Sequence, residues 1–382
     1  MPTPQGGIWC YMGFPALYRQ RRPRSPGLWQ ALDTRFEEFQ AVYDERFETR
    51  LGPLRPVVIK RVQEYLQCGI LDYGFARVRC PECKHEYLVA FSCKARGFCP
   101  SCQSKRQAEF AAFLTEDVLA PVPHRQVVLS VPRRLRPYFF HHRTLLSKLA
   151  RCGYETVRDL IREALGMPAC APGAVVSVQT FGSLLDFHPH LHMLATWGGF
   201  DKSGTFHPVE SVPSEDTVSR LFRHNVLKML LREGAIGEEI VENMLSWNHT
   251  GFGADIGPAL ASDVSADRPT RTRLETLPAY MVRAPVAAGR ISEEEDGSVI
   301  YKAIRIHPRH GADSRRFDPL DFIAQIVLHI PDVHEKTVIY YGRYSNRTRA
   351  RRAKQDQAGA PATHAPAGEP SSPWPSGARG RP

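Results

Sequence analysis

Two C-x2-C pairs with 15 residues between them constrain the fold of this chain more than any other feature of its sequence. The paired cysteines are Cys80, Cys83, Cys99 and Cys102. Each pair can present two thiolates from one tight turn, and two such pairs at this separation suit a tetrahedral zinc ion. Three other potential ligands, Cys68, His85 and Cys93, lie nearby, and any of them could replace one of the four. We therefore predict a four-cysteine zinc ribbon with a structural role, because a closed thiolate site stabilises a segment too small to fold alone.

The charge of the chain indicates what kind of partner it binds. The 382 residues carry a formal net charge of +10, and such a basic surplus favours a polyanion, usually nucleic acid. The sequence predicts no membrane-spanning helix, because it contains no apolar run of about 18 residues. The N-terminus has no basic region followed by an apolar one, so we expect a cytoplasmic protein, associated with the nucleoid when it acts, whose cysteines form no disulfide framework.

A cluster of histidines in an otherwise apolar stretch predicts a second metal site. His190 and His192 are separated by one residue, and on a β-strand residues i and i+2 point to the same face. Both imidazoles can then reach one cation, and His188 continues the same alternation. A third ligand is needed, for which Gln179, on the preceding strand of a predicted hairpin, and Asp186 are candidates.

Five stretches of the chain together match the pattern of a known family. They are GFARVRCPECKHEYLVAFSCKARGFCPSC (74–102), VVLSVPRRLR (127–136), FHPHLHMLAT (187–196), YMVRAPVAAGRIS (280–292) and YYGRYSNRTR (340–349). A strand with two histidines around one hydrophobic residue marks the HUH endonucleases, and a cysteine-rich ribbon shortly upstream narrows the choice within them. The chain resembles the rolling-circle transposases of insertion sequence 91 type, and the resemblance extends from about residue 55 to 352.

The resemblance implies a tyrosine-based DNA cleavage reaction. His190 and His192 would bind Mg(II) or Mn(II), which would polarise the scissile phosphate of single-stranded DNA at the ends of the element. Tyr280, on a helix after the histidine strand, would attack the phosphorus and give a 5′-phosphotyrosine and a free 3′-OH. Arg283 lies one helical turn from Tyr280 and could contact the phosphate. A phenol has a pKa of about 10 and is a weak nucleophile, so a cation beside the phosphate would both withdraw charge and align the attack.

The nucleophile helix departs from the pattern of relatives that carry two tyrosines four residues apart. Thr276 and Ala284 occupy the two positions where a second tyrosine would stand, so the chain resembles the single-tyrosine branch. A second tyrosine group, Tyr340 with Tyr341 and Tyr344, lies beside basic residues and could stack on bases or, alternatively, supply the nucleophile. The complete set of predicted DNA-binding residues is Lys105, Arg106, Tyr341, Arg343, Tyr344 and Arg347.

The predicted fold class is α+β, with an antiparallel HUH-type sheet of four or five strands that has helices on one face. We expect four segments: a disordered start and a helical part (1–67), the zinc-binding module (68–106), the catalytic domain (107–342) and a disordered basic tail (343–382). Two other functions remain open from the sequence. One is a metallohydrolase whose histidines activate water, and the other is a zinc-ribbon DNA-binding protein without catalysis.

Overall fold

A computed structural model of the chain describes residues 23–24, 27–249, 251–260, 273–303, 311 and 313–359. Within these residues, no helix combines the length and hydrophobicity needed to cross a membrane. The strands are β1 (Phe75–Arg79), β2 (Glu86–Ala90), β3 (His124–Ser130), β4 (Gly173–Phe181), β5 (Phe187–Thr196), β6 (Gly198–Phe200), β7 (Phe206–Pro208), β8 (Gly253–Leu260), β9 (Ile291–Glu293), β10 (Val299–Lys302), β11 (Ser314–Phe317) and β12 (Val338–Gly342). The helices are α1 (Gly27–Arg46), α2 (Glu48–Leu51), α3 (Pro56–Leu66), α4 (Pro100–Phe113), α5 (Arg136–His141), α6 (Thr144–Leu165), α7 (Glu215–Arg232), α8 (Glu238–Leu245), α9 (Arg273–Met281), α10 (Pro319–Val327) and α11 (Asn346–Gly359).

A five-stranded antiparallel sheet in the order β12-β4-β5-β3-β8 forms the centre of the fold. Its strands alternate between two faces. The side chains of one face enter the main hydrophobic core with α6 and α7 and include Val127, Leu129, Val176, Val178, Leu191 and Met193. Helix α6 lies close to the sheet at Gly153, where an added Cβ would come within 2.5 Å of Leu191. The histidine strand is therefore packed tightly from behind.

The opposite face of the sheet is polar near its middle and is partly covered by α9 and α4. Register places Gln179 opposite His190 and Ser177 opposite His192 on the neighbouring strand. Helix α9 packs on β5, and α4 packs on α9. This face therefore carries the two predicted histidine ligands under the helix that contains the predicted nucleophile.

A second hydrophobic core joins the N-terminal helices to the cysteine-rich segment and to α10. It contains Phe36 and Phe39 of α1, Phe98 and Cys99, and Phe322 of α10. The cysteine-rich segment is thus part of a larger packed unit rather than a separate ribbon.

The α+β class and the antiparallel sheet of four or five strands were predicted correctly. The edge strand β8 (Gly253–Leu260) was not predicted from the sequence, because its two glycines and its proline weaken the strand signal. Helix α11 lies near the start of the basic segment that begins at residue 343. The predicted disorder of the first residues and of the tail beyond α11 falls outside the described residues.

Candidate functional site

Four cysteine sulfur atoms converge beside the start of α4. They belong to Cys68, Cys93, Cys99 and Cys102, and all lie within 4.8 Å of one another. The Sγ atom of Cys102 is 3.6 Å from that of Cys68 and 3.7 Å from that of Cys93. With a Zn–S bond of about 2.3 Å, the sulfurs of a tetrahedral site are about 3.8 Å apart, so the donor set fits zinc. The Cys93 amide also donates to Cys68 Sγ at 3.4 Å, which favours a thiolate there.

Of the four predicted zinc ligands, Cys99 and Cys102 belong to this group, whereas Cys80 and Cys83 do not. Cys80 and Cys83 lie at the tip of the β1–β2 hairpin, beyond the pair Arg79–Glu86. Cys68 and Cys93 flank the base of the same hairpin. Its five residue pairs, at about 3.3 Å per residue, place the tip roughly 17 Å from the base. The hairpin therefore brings the flanking cysteines together and carries the C-x2-C pair away from them.

The histidine pair lies where the alternation along β5 predicts it. The Nε2 atoms of His190 and His192 are 3.2 Å apart. His190 Nδ1 lies 2.7 Å from the backbone oxygen of His188, to which it donates, and this leaves the Nε2 lone pair available. Gln126 of β3 contacts His192 Nδ1 at 3.3 Å. Two ring nitrogens held on one rigid strand can supply two of the ligand atoms that a divalent cation needs.

Both histidines are neutral at physiological pH. Burial lowers the pKa of His190 to about 4, and the nearby charges of Arg283 and Arg136 act in the same direction. Burial lowers the pKa of His192 to about 3, with His190 and Arg283 contributing. A metal ligand must be unprotonated, so these shifts keep the pair ready to bind a cation.

Tyr280 of α9 lies against this pair. Its ring centroid is 5.3 Å from that of His192, with the two rings nearly perpendicular, and its side chain is exposed. The guanidinium carbon of Arg283 is 4.6 Å from the Tyr280 ring centroid. The four predicted catalytic residues are therefore neighbours in the structure, although α9 is distant from β5 in the sequence.

Side chains from the sheet hold the C-terminal end of α9. Ser177 Oγ donates to the Met281 carbonyl at 2.7 Å, and Gln179 Nε2 donates to the same carbonyl at 2.9 Å. Gln179 Oε1 accepts a bond from Arg283 Nε at 3.4 Å. Gln179, which was predicted as a metal ligand, thus anchors the Tyr280 segment through both ends of its amide. Asp186, the other candidate ligand, forms an ion pair with Arg315.

A buried glutamine connects the cysteine cluster to the chain segment that follows Tyr280. Gln103 directly follows Cys102 and is buried, with 5% of its surface exposed. Its Oε1 accepts a bond from Gly97 N at 3.0 Å, and its Nε2 donates to the Val282 carbonyl. The zinc-binding loop is thereby joined to the chain two residues after Tyr280.

Comparisons with known proteins match both the segment that contains the histidine pair and Tyr280 and the segment that contains the cysteine cluster. The transposase family model Y2_Tnp matches residues 173–352, and the model of the transposase zinc-binding domain of the IS91 type matches residues 36–131. The chain is similar to the IS91-type transposases. Its relatives include the transposase for insertion sequence element IS801 of Pseudomonas savastanoi pv. phaseolicola, which is 24% identical over 78% of this chain and 72% of the relative. A protein of Sinorhizobium fredii (strain NBRC 101917 / NGR234) with the description Putative transposase y4qJ is 26% identical over 72% of this chain and 71% of the relative. No solved structure matches the chain.

The residues predicted to bind DNA occupy different environments in this transposase. Lys105 is exposed and forms an ion pair with Glu109, and Arg106 is half-buried. Arg343 lies with its guanidinium carbon 4.7 Å from the Phe200 ring centroid. Arg347 belongs to α11.

Two of the predicted DNA-binding residues, Tyr341 and Tyr344, are packed against other side chains of the transposase. Tyr344 is completely buried, and its hydroxyl bonds His124 Nε2 at 2.7 Å and Ala120 N at 3.0 Å, so the structure corrects its predicted role in base stacking. Tyr341 stacks on Tyr154 at 4.7 Å against the main core. Burial raises the pKa of Tyr341 to about 12, which makes it a poorer nucleophile than an ordinary tyrosine.

Several residues that shape the site of the transposase were missed from the sequence. Ser177, Gln103 and Gln126 act through contacts between segments that are distant along the chain. Of these three, only Gln126 could be placed from the local sequence, because alternation along β3 puts it on the face opposite to the buried Val127. Identifying it would have required the register between β3 and β5.

Proposed function

We propose that this transposase cleaves and rejoins single-stranded DNA at the ends of its element through a covalent bond to Tyr280. The observation that carries the proposal is the placement of Tyr280 next to the His190–His192 pair. The pair offers two neutral ring nitrogens on one strand, and the exposed phenol lies beside them. A nucleophile beside a cation-binding site is the arrangement that phosphoryl transfer by a tyrosine requires.

His190 and His192 would hold Mg(II) or Mn(II), and a bound divalent cation supplies charge neutralisation at a phosphate. In the reaction, Tyr280 Oη forms a bond to phosphorus while the bond between phosphorus and the 3′ oxygen breaks. The phenol loses its proton, and the departing 3′ oxygen gains one. Attack by a 3′-OH on the phosphotyrosine reverses these changes and joins a strand without ATP.

The remaining side chains would orient the phenol and the DNA. Arg283 lies over the Tyr280 ring and adds positive charge where a phosphate would approach. A cleft of about 500 Å³ begins at Arg283 and extends to Arg290 and Tyr301, with Ser104 of α4 on its other side. Two arginines suit the phosphates of a single strand, so we assign this cleft to the DNA next to the scissile phosphate.

The zinc proposed for this function is structural and would be held by Cys68, Cys93, Cys99 and Cys102. Four buried or half-buried thiolates leave no open coordination position for chemistry. Their place at the start of α4 instead supports the helix that packs on α9.

A covalent-adduct assay tests the proposed reaction. The purified protein is mixed with labelled single-stranded DNA from the ends of its own element and Mn(II), and the products are separated on a denaturing gel. We expect a labelled band at the mass of the protein, which Tyr280→Phe abolishes and Tyr341→Phe retains. Cleavage without a covalent band would indicate that water is the nucleophile. Binding without cleavage would indicate a DNA-binding protein whose histidines have no catalytic role.

A further inference from the structure

Gln126 of β3 contacts the histidine pair on the side away from the two Nε2 atoms. Its amide nitrogen lies 3.3 Å from His192 Nδ1, whereas His192 Nε2 lies 3.2 Å from His190 Nε2. In a neutral imidazole, the hydrogen bond made by one nitrogen decides which of the two carries the proton. Gln126 is therefore placed to control the ring of His192 without competing for its Nε2 atom.

The hydrogen bonds of the pair specify where each ring proton lies. An amide N–H group only donates, so His192 Nδ1 accepts from Gln126 and this neutral ring carries its proton on Nε2. A backbone carbonyl only accepts, so His190 Nδ1 donates to His188 O at 2.7 Å, and His190 Nε2 has a lone pair. His192 Nε2 then donates to His190 Nε2. In this arrangement the His192 Nε2 atom holds a proton and cannot be a metal ligand.

A cation bound by both Nε2 atoms requires the other tautomer of His192, with its proton on Nδ1. Nδ1 then needs an acceptor, and the amide nitrogen of Gln126 cannot accept. The same side chain carries a carbonyl oxygen, and rotation about its last bond exchanges the oxygen and the nitrogen in nearly the same two positions. A glutamine can therefore donate to Nδ1 in one tautomer and accept from it in the other, which neither a lysine nor a carboxylate can do.

The neighbouring strands hold the backbone of Gln126 and leave space beside its side chain. On one side β3 pairs with β5, where Gln126 lies opposite Leu194. On the other side the register with β8 shifts between Arg125 and Val127. Gly257 of β8 lies there, and an added Cβ would come within 3.6 Å of Gln126 Cβ. The glycine thus keeps this flank of the Gln126 side chain free of a side chain from position 257.

We propose that Gln126 is the positioning residue that selects the tautomer of His192 and turns its amide over when a divalent cation binds at the histidine pair. One proton leaves Nε2 for solvent and another arrives at Nδ1, so the net charge of the ring is unchanged. Gln126 Oε1 then accepts the Nδ1–H, as acceptors do behind metal-binding histidines. The inference rests on the proposed function, because it requires that His190 and His192 bind the cation.

The tautomer of His192 is measured by nitrogen NMR on the full-length protein with isotope-labelled histidine. The signals of His192 are those that disappear in His192→Ala. We expect the proton on Nε2 before a divalent cation is added and on Nδ1 at saturating Mg(II). Gln126→Glu, whose carboxylate only accepts, should hold a proton on Nδ1 under both conditions. A wild type with its proton on Nδ1 before Mg(II) is added would overturn the proposal, and this result does not depend on cation binding.

The affinity for Mn(II) tests Gln126 by a second readout that needs no DNA. Free Mn(II) is measured by electron paramagnetic resonance, and sites that persist in His192→Ala are subtracted. Gln126→Met keeps the length of the side chain but cannot accept the Nδ1–H, so it should weaken Mn(II) binding about 10–100-fold. Gln325→Met is the matched control, because its amide donates to the carbonyl of Leu185 in the second hydrophobic core, at 2.8 Å. It should bind Mn(II) as the wild type does.

The outcomes separate this proposal from the proposed function. If Gln126→Met binds Mn(II) as tightly as the wild type while His192→Ala loses the site, the role of Gln126 is overturned and the metal-binding pair stands. If His192→Ala loses no site, the metal-binding pair and the role of Gln126 are overturned together. Urea denaturation shows whether Gln126→Met is folded, and the tautomer of the wild type decides the question without any substitution at Gln126.

Discussion

Gln103 offers a sharp test of whether the cysteine cluster positions the nucleophile. Replacing it with Met keeps the length of the side chain but removes the bonds to Gly97 N and the Val282 carbonyl. Each polar group left without a partner in a buried environment costs about 1–3 kcal/mol. Since Gly97 is only partly buried, we expect Gln103→Met to lower the free energy of unfolding by about 2–4 kcal/mol. Urea denaturation of the zinc-loaded protein measures this change.

The same substitution should slow adduct formation without weakening DNA binding. The Val282 carbonyl lies two residues after Tyr280, and a displacement of about 1 Å at a nucleophile can cost about 100-fold in rate. Gln103→Glu retains an acceptor for Gly97 N but places a carboxylate oxygen against the carbonyl, so it should show the same slow rate. Ser147→Ala is the control, because this exposed hydroxyl of α6 bonds Thr144 O within its own helix, and α6 packs on the face of the sheet opposite to the histidines. A Gln103→Met protein that loses stability but forms the adduct at the normal rate would refute the link to Tyr280.

Three further predictions concern the metal ligands and the buried histidines. Cys93→Ser should release about one zinc ion per chain, which elemental analysis measures, and retention of that zinc would contradict the assigned ligands. His192→Ala should slow adduct formation about 100-fold at saturating Mn(II), because a cation at the phosphate contributes several kcal/mol; an unchanged rate would argue against a metal at this pair. Burial lowers the pKa of His329 to about 4 from 6.5, so the unfolded chain takes up protons first and stability falls as the pH drops below about 6.5. The loss from this residue should be about 2 kcal/mol at pH 5, and urea titrations of His329→Gln at pH 7 and pH 5 should show a smaller fall than the wild type.

The shared face of the two histidines on β5 could be predicted from the sequence because its signal is local. The spacing of His190 and His192 fixes their common face once the segment is a strand, and the structure shows both on that face. Tyr280 could not be found in this way, since nothing in the local sequence distinguishes it from a packed helix aromatic. The family resemblance selected it, and the fold places it beside His192.

The zinc ligands and the fifth strand show where local patterns fail. Spacing alone grouped Cys80 and Cys83 with Cys99 and Cys102. Which cysteines come together in space depends on where the chain turns between β1 and β2. Strand β8 contains Gly253, Gly257 and Pro258, which weaken the strand signal. An edge strand tolerates such residues, because proline needs no partner on its open side. Both errors therefore arise from contacts between distant segments.

The most direct test of the proposed reaction is to locate the DNA on the protein after cleavage. The covalent adduct is digested with nuclease and trypsin, and the peptide that retains a nucleotide is sequenced by mass spectrometry. We expect a phosphotyrosine at Tyr280, within the tryptic peptide of residues 274–283. A nucleotide attached to Tyr340, Tyr341 or Tyr344 instead, or cleaved DNA with no modified peptide, would contradict it.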